Sequence, residues 1–219
     1  MGTADVSGVR IGVVSGVAVS ALSVFYAFAL AIGLLTLPSP DSPIQNPWFT
    51  VMEILILLIA PAMCAFTVGL HSWATADRKA LSMLSVLFMS MCTLVTCCVH
   101  FAVLTLSRQQ AFVDARLSSL LFGFQWPSVV YVMDILAWDV FFPLAALFAA
   151  RAVHGNGLAR AARTLLFGSA ALAFVGLAGV PMADMSVRNI GIVGYVLLFP
   201  VATVMLAIVF GRQAGRGAT

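Results

Sequence analysis

The chain has 219 residues, 62% of them apolar and 9% charged, with a formal net charge of +3. A water-soluble domain of this length carries roughly a quarter charged residues, so the composition excludes a disordered chain, a nucleic-acid-binding surface and an ordinary cytosolic enzyme. It fits a polytopic membrane protein, all-α, with one transmembrane bundle over residues 1–219, because lipid admits only helices and closed barrels and the short alternating segments of a barrel do not occur.

A spanning helix needs about 20 mostly apolar residues, and six stretches qualify, at roughly 11–36, 49–71, 82–106, 129–152, 164–181 and 190–210. The first follows Arg10 and lacks a small-residue cleavage site, so it is expected to be retained behind a short polar tail. Gly8, Gly12 and Gly16 form a small-residue ridge on it. Such a ridge suits close packing within the bundle or between protomers of a homo-oligomer. The following loop, 37–48, holds Pro38, Pro40, Pro43 and Pro47 and should be stiff and extended. Cys64, Cys92, Cys97 and Cys98 all fall inside spans without zinc-site spacing and read as small buried hydrophobes. In the longest connection, 107–128, Val113, Leu117, Leu120, Leu121 and Phe124 recur at three- and four-residue spacing opposite Gln110, Asp114 and Ser118. That pattern predicts an amphipathic helix over about 109–124, lying in the membrane interface. Gly155-Asn156-Gly157 marks a turn before the fifth span.

The basic residues set the expected topology. With the N-terminus cytoplasmic, that side holds Arg10, Arg78, Lys79, Arg151, Arg160, Arg163, Arg212 and Arg216, and the other holds Arg108, Arg116 and Arg188. This asymmetry puts both termini in the cytoplasm, with Trp48 and Trp126 at the outer interface and Trp73 at the inner one.

An internal repeat is also visible. Residues 51–55 read VMEIL and 132–136 read VMDIL; Pro61 and Pro143 follow, each five residues before a phenylalanine, Phe66 and Phe148. The hairpin of helices two and three thus reads as a divergent copy of helices four and five, with helix six as a third member because Phe199-Pro200 aligns on Phe142-Pro143. Each proline removes a backbone donor and bends its helix. Three kinked helices running from outside to inside would splay and open an outward-facing cavity.

Four ionisable side chains lie within the spans: Glu53, His100, Asp134 and Asp139. Each costs about 3 kcal/mol or more near the bilayer centre unless paired, hydrated or neutral. Counted at 1.5 Å per residue, Glu53 lies roughly 6 Å below the outer end of its helix, Asp134 about 8 Å, His100 about 9 Å and Asp139 about 15 Å. The titratable groups therefore gather in one leaflet. Tyr131, Asp134 and Trp138 share a face of helix four, whereas Asp139 points about 140° from Asp134 on a regular helix, so the two carboxyls cannot line one narrow slot unless the kink at Pro143 rotates them together. One carboxyl is then expected to face the cavity and the other to pair with His100, Tyr26 or Tyr195. Asp184, Arg188, Gln125 and Arg116 should form a polar rim above. A carboxyl kept neutral in an apolar pocket can donate a proton.

Absent motifs narrow the chemistry. The only lysine, Lys79, lies in a loop, which excludes a retinal Schiff base within a span; His100 alone at depth excludes a di-haem site. No His-x-x-x-His turn, phosphate-cradling loop or Gly-x-Ser motif occurs, so no metal or cofactor is expected.

Helix four reads Asp134-Ile135-Leu136-Ala137-Trp138-Asp139-Val140-Phe141-Phe142. Its Ala-Trp-acid step resembles the Asn-x-Ala-Trp-Glu signature of the integral membrane terpene cyclases of meroterpenoid pathways, in which buried acids are thought to protonate an isoprenoid epoxide or olefin. The resemblance implies Asp139 as the acid and Trp138 as its aromatic partner. The chain departs from that family in having Asp for Glu, six spans for seven, and the step in helix four; Glu53 stands in the second-helix region, but after Val51-Met52. The chain as a whole is similar to six-helix proteins of bacterial membranes, so the cytoplasmic membrane of a bacterium is the expected location.

The expectation is a membrane-embedded acid catalyst acting on an isoprenoid or lipid-like molecule. Asp139 or Glu53 would be the general acid, and Asp134 and His100 would tune it or take the proton back. Trp138, Tyr131, Tyr195, Phe142 and Tyr26 would line the pocket, where aromatic faces stabilise a developing carbocation, and the amphipathic segment would act as a lid. The alternatives are a proton-coupled carrier using the same carboxyls and a non-catalytic scaffold. The expected partners are a hydrophobic substrate and the bilayer, with no nucleic acid.

Overall fold

The computed structural model describes residues 6–39, 42–114 and 117–216. The described residues contain helices and no strand. Six helical runs are long and apolar enough to cross a membrane: Ser7–Leu35, Trp48–Trp73, Ala76–Leu106, Val129–Ala152, Leu158–Met182 and Met185–Gln213. The chain is a six-helix integral membrane bundle. The first three spans are α1 (Val6–Leu35), α2 (Trp48–Trp73) and α3 (Lys79–Leu106), the last entered through a single 3-10 turn, Ala76–Arg78. Two short helices, α4 (Gln110–Asp114) and α5 (Ser118–Phe122), stand where one amphipathic helix was expected.

Three helices build the fourth span and its continuation: α6 (Val129–Ile135), a six-residue π-helical segment (Leu136–Phe141) and α7 (Phe142–Ala152). The fifth span is α8 (Leu158–Leu177), extended by the single turn α9 (Gly179–Met182). The sixth repeats the pattern of the fourth, with α10 (Met185–Ile192), a π-helical segment (Val193–Leu198) and α11 (Phe199–Arg216). Asp184 caps α10 by accepting from the Ser186 backbone N–H at 2.9 Å. The Ser186 hydroxyl and backbone N–H together hold this carboxyl below the usual carboxylate range.

Consecutive spans are neighbours, and α11 returns to pack on α1, closing a ring. Among the described residues, one end of the ring carries the long loops that leave α1 after Leu35 and α3 after Leu106; the other, the termini-bearing end, carries the start of α1 and the end of α11. At the termini-bearing end the interior is solid, filled by Phe66, Leu70, Leu206 and Phe210, all fully buried. Alanines on the inner faces of α7 (Ala145, Ala146, Ala149 and Ala150) let the flanking helices close in, and the Ser85 hydroxyl donates to the Ala145 carbonyl at 2.9 Å. Trp73, expected at an interface, is instead buried, stacked on His154 at 3.8 Å and donating to Gln213. Arg78 caps α7 by donating to the carbonyls of Arg151 and Val153. Burial, with the Arg78 charge nearby, holds His154 below the ordinary imidazole range.

Two glycine seams set the closest approaches. A Cβ on Gly69 would sit 2.2 Å from the Gly12 Cα, and one on Gly16 would meet the Thr203 carbonyl at 3.0 Å. The glycine ridge of the first span therefore serves the bundle's own packing. In the second seam, a Cβ on Gly176 would meet the Arg188 carbonyl at 2.9 Å, and one on Gly179 the Arg188 nitrogen at the same distance. This backbone-on-backbone contact seats α10 against α8.

The π segments have a local cause. Pro143 and Pro200 have no N–H to offer the carbonyl four residues back, and the ring crowds it. Just upstream, the Phe142 N–H reaches the Ala137 carbonyl and the Phe199 N–H that of Gly194, each a five-residue step. Such one-turn bulges absorb one extra residue. The Phe-Pro alignment of spans four and six is thus matched by a shared π-then-α architecture. In α2, by contrast, the α-helix runs unbroken through Pro61.

Candidate functional site

The π segment in the fourth span changes which way its acids face. On a regular helix, five residues separate Asp134 and Asp139 by about 140°. With one residue absorbed by the bulge, the same step turns about as far as four α-helical residues, leaving the two carboxyls roughly 40° apart. Both reach the same side chain: Arg188 donates from Nε to Asp139 Oδ2 at 3.0 Å and from Nη2 to Asp134 Oδ2 at 2.7 Å. The π segment supplies the rotation expected only of a kink, and the partner of Asp139 is Arg188 rather than His100, Tyr26 or Tyr195.

Arg188 also departs from its expected place at the rim. It is 5% exposed, deep in the bundle beside α8, with its guanidinium 4.8 Å from the Tyr131 ring centre. Sequence reasoning put it at the rim because it stands two residues before the expected start of the sixth span. The signal was the run of Gly176, Gly179, Gly191 and Gly194, small residues that let two helices approach closely enough to carry an arginine inward. Gly191 is part of that fit, since a Cβ there would lie 2.9 Å from Asp139 Oδ1.

From Asp134 the cluster continues across the bundle. His100 on α3 points Nε2 at Asp134 Oδ1, 3.7 Å away, and its Nδ1 lies 2.9 Å from Glu53 Oε2 on α2. Five buried ionisable groups thus run in one line, Glu53–His100–Asp134–Arg188–Asp139, contributed by the second, third, fourth and sixth spans. Opposite charges in contact offset the desolvation that each would suffer alone. Phe124, from the loop after α5, stacks on the His100 ring at 5.2 Å.

A cavity of about 1090 Å³ opens beside this line at the long-loop end. Glu53, His100, Asp134 and Arg188 stand on its wall, together with Tyr26, Tyr131, Trp138 and Tyr195. Beyond them its deep end is apolar, with Ile59, Met63 and Phe199, and its mouth is polar, with Gln45, Asn46, Arg108 and Gln125. Two expected residues lie behind the wall. Asp139 is fully buried and faces Arg188 and Gly191. Phe142 supports the lining from outside, its ring 5.7 Å from Trp138 and 5.8 Å from Tyr195. Of the expected rim, Gln125 is at the mouth, Asp184 caps α10, and Arg116 lies outside the described residues. Among the described residues, no group of three or more His, Cys, Asp or Glu side chains is arranged to hold a metal ion, and the cysteines are free.

Chemically, the wall offers a carboxyl hydrogen-bonded to an imidazole, a second carboxylate anchored by a guanidinium, and an aromatic enclosure. Such a pair of unlike carboxyls can divide the roles of proton donor and acceptor. The fold and site define a class: an integral membrane helical bundle with a buried line of charges beside a bilayer-depth cavity. Compared with protein-family models, curated proteins and solved structures, the chain matches none.

Proposed function

We propose that this protein is a membrane-embedded acid catalyst, acting on an isoprenoid or lipid-like substrate by protonation and cyclisation. The observation that carries the reading is the placement of the Glu53–His100 pair on the wall of a large, aromatic-lined cavity. Glu53 is the proton donor, because it lines the cavity whereas Asp139 stands behind it and is bound to Arg188. The proton passes from the Glu53 carboxyl to an epoxide oxygen or an olefinic carbon; the cation that forms is closed by an internal double bond and loses a proton to Asp134 or His100, and the His100 ring returns it to Glu53 and restores the acid. No atom is gained or lost. Tyr26, Tyr131, Trp138 and Tyr195 stabilise the cation by their ring faces. Asp139 and Arg188 are positioning residues that hold Asp134 in place.

On this reading the protein sits in the cytoplasmic membrane of a bacterium. With Arg188 drawn into the bundle, the remaining basic residues divide eight to two between the two ends, which favours both termini in the cytoplasm and the cavity mouth on the opposite face. A carrier would need a polar route through the termini-bearing half, and the buried Phe66, Leu70, Leu206 and Phe210 argue against one.

The test is turnover of a farnesyl-chain epoxide by the purified protein in nanodiscs, followed as a product of unchanged mass and altered retention. Glu53→Gln is expected to reduce turnover by about 100-fold or more, the range for loss of a general acid. Cyclisation that proceeds unchanged in Glu53→Gln removes the reading.

A further inference from the structure

The first and sixth spans run antiparallel and part company halfway. On the termini-bearing side they are locked together: Gly12 against Phe210, Gly16 against Thr203, and the Ser20 hydroxyl donating to the Pro200 carbonyl at 2.8 Å. Among the described residues, Ser20 is the last on α1 to hydrogen-bond the sixth span. From there toward the long loops, α1 packs closely on α2 but hardly touches α10 or the π segment before Pro200. The space left between them belongs to the cavity, with Ser23, Tyr26 and Leu30 on one bank and Asn189, Ile192 and Val196 on the other. The three α1 residues recur at three- and four-residue spacing and so form one face. The adjacent Val24, Phe25 and Phe28 are exposed to the surroundings of the bundle, which for a membrane helix is lipid.

The divergence has an identifiable origin at Phe199-Pro200, where the sixth span passes from π to α geometry. Below that step the two helices interlock; above it they stand apart.

The charge of the line beside the cavity bears on what enters. The Glu53–His100 pair shares one proton and is neutral as a unit whichever of the two holds it, while Asp134 and Asp139 face one guanidinium, so the cluster carries one net negative charge; the lining's other charge, Arg108, lies at the mouth bonded to Asn46. In a low-dielectric setting an anionic head brought beside the cluster is repelled, whereas a neutral or hydrogen-bonding head is not. The cavity volume, about 1090 Å³, lies just above the range for pockets holding one drug-sized ligand, about 300–1,000 Å³. That suits one chain rather than a two-chain lipid.

We infer that the site draws its ligand sideways from the bilayer, through the slot between the first and sixth spans, and that the ligand is a single-chain amphiphile with an uncharged polar head. The head lies beside Glu53 and His100 while the chain occupies the apolar deep end by Ile59, Met63 and Phe199. This deepens the acid-catalyst reading by naming its substrate class and its route, and it rests on that reading only for what happens after binding.

The test uses the full chain in nanodiscs with two photoreactive probes, a diazirine-bearing hexadecanol and the matching alkyl sulfate, and maps adducts by mass spectrometry. The alcohol should label the interior residues Ile59, Met63 and Val196 as well as lipid-facing ones such as Phe28 and Leu94. Ser23→Trp, and independently Ile192→Trp, should cut interior adducts at least tenfold and leave those on Phe28 and Leu94 unchanged; the two variants guard against misfolding of either one. The sulfate should label lipid-facing residues only. Interior labelling indifferent to both tryptophans, equal interior labelling by the sulfate, or alcohol adducts confined to lipid-facing residues would each overturn the inference. The unsubstituted protein separates the two proposals: interior labelling that both tryptophans abolish, without turnover of the farnesyl-chain epoxide, bears against the acid alone, and turnover with interior labelling indifferent to both tryptophans bears against the slot alone.

Discussion

Arg188 shows what a single buried charge demands of its surroundings. Its guanidinium donates to one oxygen of each of two carboxylates, at 3.0 and 2.7 Å, and lies against the Tyr131 ring, an arrangement the planar fork of arginine suits and a lysine would not. Removing it strands both acids. Arg188→Gln is expected to cost about 3–5 kcal/mol, the range for breaking a buried pair by deleting one partner, read as the shift in reversible unfolding in detergent. Neutralising all three members, as Arg188→Met with Asp134→Asn and Asp139→Asn, should recover most of that loss, because no uncompensated charge then remains. The acids and His100 were legible in the sequence, since an ionisable residue inside an apolar run stands out. Their mutual arrangement was not. Arg188 lay just outside the apolar window that identifies a span, and whether an arginine at that position turns inward depends on the glycines of another helix.

At the scale of elements, the two π segments explain why helix periodicity misplaced one carboxyl. The rule of 100° per residue holds for α6 and for α7 but not for the six residues between them, and a one-residue bulge leaves no periodic trace in an apolar run. Only its punctuation shows: Phe142-Pro143 and Phe199-Pro200 align, and both follow a π segment. Pro61 lacks the same consequence in α2, so a proline alone does not predict the bulge. Pro143→Ala restores a donor for the Asp139 carbonyl and should let the segment relax toward α geometry, swinging Asp139 from Arg188. The coupling between Asp139 and Arg188, measured by a double-mutant cycle of unfolding free energies, is then expected to fall toward zero from the 0.5–3 kcal/mol typical of contacting groups. Coupling that persists in the Pro143→Ala background would show that the proline does not hold the bulge.

For the whole molecule, six apolar runs and a gathering of charge in one half were readable from composition and position alone. The C-terminal ends of the spans agree within three residues and their starts within six, because burial in lipid is decided by bulk apolarity, to which many residues contribute. The ring order of the spans and the gap between the first and the sixth were not readable, since both depend on small-residue seams whose partners are distant in sequence, Gly12 with Gly69 and Gly176 with Gly191.

The solid packing of Phe66, Leu70, Leu206 and Phe210 below an open-mouthed cavity makes the two faces of this protein unequal partners in proton exchange. Hydronium and buffer on the loop side have the cavity as a route to Glu53 and His100, while those on the side of the termini meet the packed layer of side chains. In vesicles with the protein in one orientation, acidifying the loop-side medium alone should alter the infrared carboxyl signal assigned through Glu53→Gln within the mixing time, and acidifying the other medium should leave it unchanged until protons leak across. Whatever this protein does, it would then answer to the acidity of a single compartment.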